Sequence, residues 1–268
     1  MIFTDLTDND RRDIIDYVSG KTGFLRNVVE KDWWVTSVLR SVFSLPYADN
    51  MSFKGGTNLS KCWGLIQRMS EDIDIGISRE FLGFGGELSK NQISDKLRRA
   101  SCSFVRHIMR HDVENALAAQ GISPDTITVT VKETKVSTVD PETIYVAYQS
   151  LYDSNGYVLP QIKIEVSGRS MNEPISKTSV RSYISGNLPK LTFQDEPVEV
   201  NAVIPQRTFL EKLFLLHEEF AKPNSEIRVE RMSRHLYDIY NIMQTKIANE
   251  ALADDSPVSY THLRAHET

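Results

Sequence analysis

Cysteine is almost absent. Cys62 and Cys102 are the only two in a chain of 268 residues, too few for a disulfide framework and at no spacing that builds a zinc site. Both sit in apolar sequence and read as buried thiols of a reducing compartment. No apolar run approaches the ~20 residues a membrane helix needs. Met1-Ile2-Phe3-Thr4-Asp5 opens without the basic-then-apolar order of a secretory signal, so the cytosol is the expected location. A positive balance is lacking too. The formal charge of −5 argues against a protein that coats nucleic acid generally, while leaving room for a local basic patch. The remainder, 40% hydrophobic and 25% charged, is ordinary for a globular chain long enough to bury a substantial core, as one large domain or two modest ones.

The informative stretch runs from Phe53 to Ile75. Phe53-Lys54-Gly55-Gly56-Thr57 precedes a segment, Asn58 to Gln67, that reads as a helix. Gly55, Gly56 and Thr57 are therefore expected in the turn at a helix N-terminus, where free N–H groups and the helix dipole favour phosphate. A plain structural turn is the commoner reading of a lone Gly-Gly. Ser70-Glu71-Asp72-Ile73-Asp74-Ile75 follows. Alternate residues of a strand share a face, so Asp72 and Asp74 converge while Ile73 and Ile75 enter the core. Neighbouring carboxylates repel unless a cation or a shared proton compensates them. Hard oxygen ligands suit Mg²⁺, which one or two carboxylates hold together with substrate phosphates. The stretch predicts a metal-dependent site for a nucleoside triphosphate; a Ca²⁺ or structural-metal site is the plainer alternative.

Helices precede this stretch, and strands and then helices follow it. Thr7-Asp8-Asn9-Asp10 caps a helix carrying Ile14, Ile15 and Val18, broken by Gly20 and Gly23. A second helix is expected from Phe24 to Ser44. Its adjacent Trp33 and Trp34 cannot share one narrow stripe, which implies cover on more than one side. Its Glu30, Lys31 and Asp32 are either site residues or the charged edge of a packed helix. Phe81-Leu82-Gly83-Phe84-Gly85-Gly86 predicts a mobile flap. Asn91 to Gln120 predicts a long helix burying Leu97, Phe104, Val105, Ile108, Val113 and Leu117. Its Lys96, Arg98, Arg99, Arg106, Arg110 and His111 form a face that is simply solvated or able to track a nucleic-acid backbone.

Residues 127–131, 143–148 and 161–167 read as strands, with a turn at Asp153-Ser154-Asn155-Gly156. In the third, Ile162, Ile164 and Val166 face one way, Lys163 and Glu165 the other. If that strand lies beside the Asp72/Asp74 strand, Glu165 becomes a third carboxylate; otherwise its face is merely wet. Residues 168–204, carrying Pro174, Pro189 and Pro197, read as an irregular extension of the sheet with β-like pieces at 190–193 and 198–203. Thr208-Phe209-Leu210-Glu211 has the form of a capping box opening a helix. Phe209, Leu213, Leu216 and Phe220 are its expected core stripe, with Lys212 flanking it at the surface. A final helix, about Val229 to Asn249, is expected to bury Met232, Leu236, Ile239 and Met243. Arg231, Arg234 and Asp238 then face away, where a local Arg234–Asp238 pair would be worth about 0.3–0.5 kcal/mol. Residues Val258 to Thr268 resemble a translated sequencing-adaptor tail. The tail is set aside from fold reasoning, its His262 and His266 are not counted as metal ligands, and the native C-terminus is expected to differ.

Five pieces in order are similar to one known family. They are Glu30-Lys31-Asp32-Trp33-Trp34-Val35-Thr36, Phe53-Lys54-Gly55-Gly56-Thr57, Arg68-Met69-Ser70-Glu71-Asp72-Ile73-Asp74-Ile75, Thr208-Phe209-Leu210-Glu211-Lys212-Leu213 and Arg234-His235-Leu236-Tyr237-Asp238-Ile239. The chain resembles the AbiEii-type nucleotidyltransferase toxins, a branch of the DNA polymerase β-like superfamily. The resemblance implies an α+β fold, a nucleotidyltransferase-like mixed sheet flanked by helices over residues 1–205. A helical C-terminal region, 206–257, completes a cleft, and 258–268 is the non-native tail. It implies transfer of a nucleoside monophosphate from an NTP with release of pyrophosphate. By position, Gly55, Gly56, Thr57 and Lys212 would hold the triphosphate, and Asp72 and Asp74 would bind Mg²⁺. Glu165 would complete the acidic set as metal ligand or base, and Lys212 and Asp238 match positions needed for activity. In one respect the chain departs from the superfamily pattern, which places the acidic pair somewhat closer to the glycines.

The resemblance further implies an RNA acceptor such as the 3′ end of tRNA, and a cognate antitoxin encoded nearby, in a type IV toxin–antitoxin (abortive infection) system. The basic side of the 91–120 helix would then be a candidate RNA contact. Two rival readings keep part of this picture: a small-molecule acceptor, as in antibiotic nucleotidyltransferases, or a nucleotide-binding module without transfer.

Overall fold

The computed structural model describes residues 1–89, 91–132, 141–153, 158–168, 174–188, 190–229 and 232–253. The turn expected at 154–156, Pro189, Arg231 and the 258–268 tail lie outside the described residues.

Thr7 caps helix α1 (Asp8–Thr22), its hydroxyl accepting the Asp10 N–H at 3.2 Å, and Gly23 ends it at φ 76°. Gly20 lies inside the helix and does not break it. Helix α2 (Arg26–Phe43) is buried on several sides, as its paired tryptophans required. Trp34 stacks on Tyr148 at 4.7 Å and Trp33 meets Phe3 at 5.0 Å. Glu30, Lys31 and Asp32 are buried in this helix and do not form a charged edge. Glu30 accepts the Leu151 N–H at 2.8 Å, and Asp32 accepts the Tyr183 N–H at 2.7 Å and Lys61 Nζ at 2.5 Å. Lys31 donates to the Leu159 carbonyl at 2.8 Å and pairs with Glu71, one residue before Asp72. These three residues tie the helix to the loops around the sheet.

Seven strands form one mixed sheet in the order β3-β4-β5-β2-β1-β7-β6. They are β1 (Met51–Lys54), β2 (Ile73–Ile77), β3 (Ile127–Val131), β4 (Glu142–Tyr148), β5 (Gln161–Ser167), β6 (Ile175–Val180) and β7 (Val198–Val203). β2 runs antiparallel to β1 and parallel to β5, and β1 runs parallel to β7. β7 is thus an interior strand rather than an irregular extension, and residues 190–193 form no strand. Between β6 and β7 stands a short helix, α6 (Tyr183–Asn187), capped by Ser182.

The helical run after the glycine-rich loop alternates π turns (Gln92–Leu97 and Val105–Met109) with α4 (Arg98–Phe104) and α5 (Arg110–Ala119). The wider turn shifts the buried face: Met109 is enclosed, whereas Ile108 stands half exposed. Its arginines are spoken for by carboxylates. Arg98 and Arg99 pair with Asp95, Arg106 with Glu142 and Arg110 with Glu114. At the start of the loop before it, Phe81 lies 5.5 Å from Tyr47 and 5.3 Å from Phe104.

Helix α7 (Pro205–Phe220) begins three residues before the expected capping box. Pro205 takes the first helical position, where its missing N–H costs nothing. Thr208 and Glu211 lie inside the helix, and Arg207 donates to Glu211 at 2.9 Å. Phe209 and Leu216 are buried, Phe220 is exposed, and Lys212 is buried instead of lying at the surface. Helix α8 (Met232–Met243) stops earlier than expected, and α9 (Ile247–Ala253) follows. α8 buries Met232, Ile239, Ile242 and Asp238, while Leu236 and Met243 are exposed. The inward face is the one carrying the carboxylate, because that carboxylate finds two cationic partners there, the buried Lys212 and the half-buried Arg68. Apolar side chains form two clusters: one between the sheet, α2 and α5, the other joining α3 (Gly55–Lys61) to α7, α8 and α9. No helix among the described residues is long and apolar enough to cross a membrane.

Candidate active site

Helix α3 starts at Gly55, not at Asn58, so the glycine pair forms its first turn. Gly55 has φ 78°, a region that side chains with a Cβ avoid, and a Cβ there would strike Asp74 Oδ2. At Gly56 a Cβ would come within 2.8 Å of Ser70 Oγ and 2.9 Å of Arg68 Nη2. The glycines let the backbone lie directly against the acidic strand. The Thr57 hydroxyl turns inward, donating to the Asp72 carbonyl at 2.5 Å and lying 3.0 Å from Ser70 Oγ. It fastens the first turn of α3 to the acidic segment.

Sheet register sets the acids. Asp74 pairs with Lys54 on one side and Glu165 on the other, and Glu165 pairs with Thr143. Paired residues share a face, so Lys54, Asp74, Glu165 and Thr143 make one row across four strands. Asp72 lies one pleat away, with Lys163 Nζ at 3.9 Å from its Oδ1. Burial, then the neighbouring Glu165, push the Asp74 carboxyl up to about 7, with Asp72 adding to the shift and Lys54 opposing it. Uncompensated negative charge therefore collects at Asp74, a situation that a bound cation relieves.

Asp72 and Asp74 open onto a cleft of about 310 Å³. One wall is Lys54, Gly55, Gly56, Ser70 and the two aspartates. The facing wall is helical: Thr208, Glu211, Lys212 and Leu215 from α7, with Arg234 and His235 from α8. Arg68 lies between the walls. Its Nε and Nη2 each reach a carboxylate oxygen of Asp238 at 2.7 Å, and Lys212 Nζ lies 3.0 Å from Asp238 Oδ2. Asp238 is fully enclosed and is not part of the cleft surface. Two cations share one carboxylate, so a net positive charge is left facing the acids. This geometry replaces the expected Arg234–Asp238 surface pair. Burial, then Lys212, pull the His235 imidazole down to about 4, so it is neutral near pH 7.

Of the residues expected from sequence, Gly55, Gly56, Asp72, Asp74 and Lys212 line one cleft. Glu165 adjoins Asp74 in the sheet without lining the cleft, and Thr57 and Asp238 lie behind its surface. Among the described residues, no group of three or more His, Cys, Asp or Glu side chains is arranged as a ready metal cage. Two carboxylates plus substrate oxygens nevertheless meet what Mg²⁺ requires. Sequence reasoning left Lys54, Arg68 and His235 without roles, and gave Glu211 only that of a cap, although each stands within a motif it singled out. What it lacked was the fold that turns them inward.

The family described as "Nucleotidyl transferase AbiEii toxin, Type IV TA system" has a sequence model that matches residues 37–263. Among solved structures, the fold is similar to that of MenT4, a nucleotidyltransferase toxin from Mycobacterium tuberculosis H37Rv. The TM-score is 0.50 at 15% identity, over 89% of this chain and 67% of that one. No curated protein sequence matches the chain significantly.

Proposed function

The chain belongs to the AbiEii family of nucleotidyltransferase toxins of type IV toxin–antitoxin systems, and on that premise we propose that it transfers a nucleoside monophosphate from an NTP to an RNA acceptor, the 3′ end of a tRNA being the expected one. The observation that carries this reading is the cleft itself, with two carboxylates on one wall, Lys212 on the other and Arg68 between them, both cations held by Asp238. Asp72 and Asp74 would hold Mg²⁺, which when bound neutralises charge on the triphosphate. Lys212 places a point charge against the phosphates. Gly55 and Gly56 admit them close to the backbone. Transfer forms a bond from the acceptor hydroxyl oxygen to the α-phosphorus and breaks the bond to the pyrophosphate oxygen. Glu165, one strand from Asp74 and beside the cleft lining, is proposed to complete the acidic set, as a metal ligand or as the group that takes the hydroxyl proton. Asp238 positions Lys212 and Arg68 without touching substrate. In such transfers the protein mainly orients groups and stabilises charge.

Incubating the protein with Mg²⁺, each α-labelled NTP and total RNA tests this. Label on RNA is expected, and its loss in Asp74→Ala together with loss of growth inhibition. Label found only on a small metabolite would sink the RNA acceptor, and toxicity persisting in Asp74→Ala would sink catalysis at this site. A cognate antitoxin is the proposed partner, consistent with the family description.

A further inference from the structure

One part of the cleft is not explained by phosphate or metal. Leu215 lies three residues beyond Lys212 on α7, and His235 lies three residues before Asp238 on α8. Glu219, near the end of α7, accepts the Arg228 N–H at 2.6 Å just ahead of α8, so the two helices run in opposite directions. With Lys212 bridged to Asp238 at 3.0 Å, Leu215 and His235 fall on the same side of that bridge, and both line the cleft. His235 Nδ1 is buried with no hydrogen-bond partner. A buried orphan polar atom in a native site calls for an explanation, and an absent ligand is one. The neighbouring lining residues Lys54, Arg68, Lys212 and Arg234 carry charge suited to phosphate, whereas Leu215 and a neutral imidazole suit an uncharged group.

We propose that Leu215 and His235 form the nucleobase subsite of the cleft, Leu215 covering a face of the base and His235 hydrogen-bonding its edge. This rests on the nucleotidyltransferase reading and extends it to selection among NTPs. A neutral imidazole offers one donor and one acceptor, so it discriminates between bases whose edges present different patterns.

The test measures binding of the four NTPs and of inorganic tripolyphosphate, all with Mg²⁺, by calorimetry on the full chain. The parent is expected to prefer some bases. His235→Phe keeps the ring volume and removes the nitrogens, and should reduce that preference roughly five- to tenfold. His235→Asn, whose amide reaches the place of Nδ1, should restore part of it. Tripolyphosphate affinity should stay within about twofold throughout, which also shows that the variants fold. An unchanged preference in His235→Phe, or equal affinities for all four NTPs in the parent, overturns the proposal alone. Equal losses for NTP and tripolyphosphate overturn it by assigning His235 to the phosphate wall. A parent that binds tripolyphosphate and NTPs not at all overturns the underlying reading as well.

Discussion

Replacing Gly55 by alanine should damage the site through a single carbon. Two costs follow from the structure. An L-residue held at φ 78° loses about 1–2 kcal/mol relative to glycine. The new Cβ would also overlap Asp74 Oδ2, and clearing it requires the carboxylate to move by about 1 Å or more. A shift of that size at a reacting centre costs on the order of 100-fold in rate. Gly55→Ala is therefore expected to lower transfer about 100-fold and to shift the urea midpoint down by roughly 0.3–1 M, taking m at about 2–3 kcal/mol/M. Fluorescence of the buried Trp33 and Trp34 reports unfolding, and α-labelled NTP reports transfer. Two other glycines calibrate the result. Gly56→Ala meets only side-chain ends, Ser70 Oγ and Arg68 Nη2, and should cost less activity. Gly20 lies within α1 with nothing inside 4 Å of its would-be Cβ; Gly20→Ala should add about 0.5–1 kcal/mol of stability and leave transfer alone. An active Gly55→Ala, or a Gly20→Ala equally impaired, would refute the reasoning.

Three further outcomes are expected. Asp238→Asn leaves Arg68 and Lys212 without their shared countercharge in a buried place, and should cost about 3–5 kcal/mol in urea unfolding along with most activity; an unchanged midpoint would show that the bridge contributes nothing. Asp74 is protonated more readily folded (about 7) than unfolded (about 4), so its contribution favours folding below about pH 4 and is lost as pH rises towards 7. Without divalent cations, Asp74→Asn should flatten the stability profile between pH 4 and 7 and be more stable than the parent above it, and parallel profiles would contradict this. Lys31→Met strips partners from Glu71 and the Leu159 carbonyl. It should destabilise by about 1–3 kcal/mol and weaken metal binding through Asp72, which titration with Mg²⁺ would reveal; unaltered affinity would remove the link.

Local signals in the sequence carried far. Thr7 with Asp10, the alternation of Gln161 to Ser167 and the β-branched run Ile127 to Val131 specify their elements through backbone chemistry and side-chain period, and each is found in its place. Juxtaposition of Asp74 and Glu165 was conditional on strand order, which no local pattern encodes. The reading failed where tertiary partners override pattern. Asp238 reads as a solvent-facing residue until Arg68, 170 positions away, is brought against it. Lys212 reads as surface for the same reason. Thr208 and Glu211 have the form of a cap, but Pro205 begins the helix earlier. Ile108 was assigned to the core by a 3.6-residue period that a π turn interrupts.

The pairing of β1 with β7, and the closure of the cleft by α7 and α8, have a consequence for the newborn chain. At about 5–20 residues per second, a ribosome spends on the order of 10 s between Asp74 and Thr208. Throughout that interval the acidic wall has no cationic wall opposite, and β1 lacks a neighbour on one side. On the proposed site, a chain that stops before α8 lacks Arg234, His235 and Asp238 and is expected to transfer nothing.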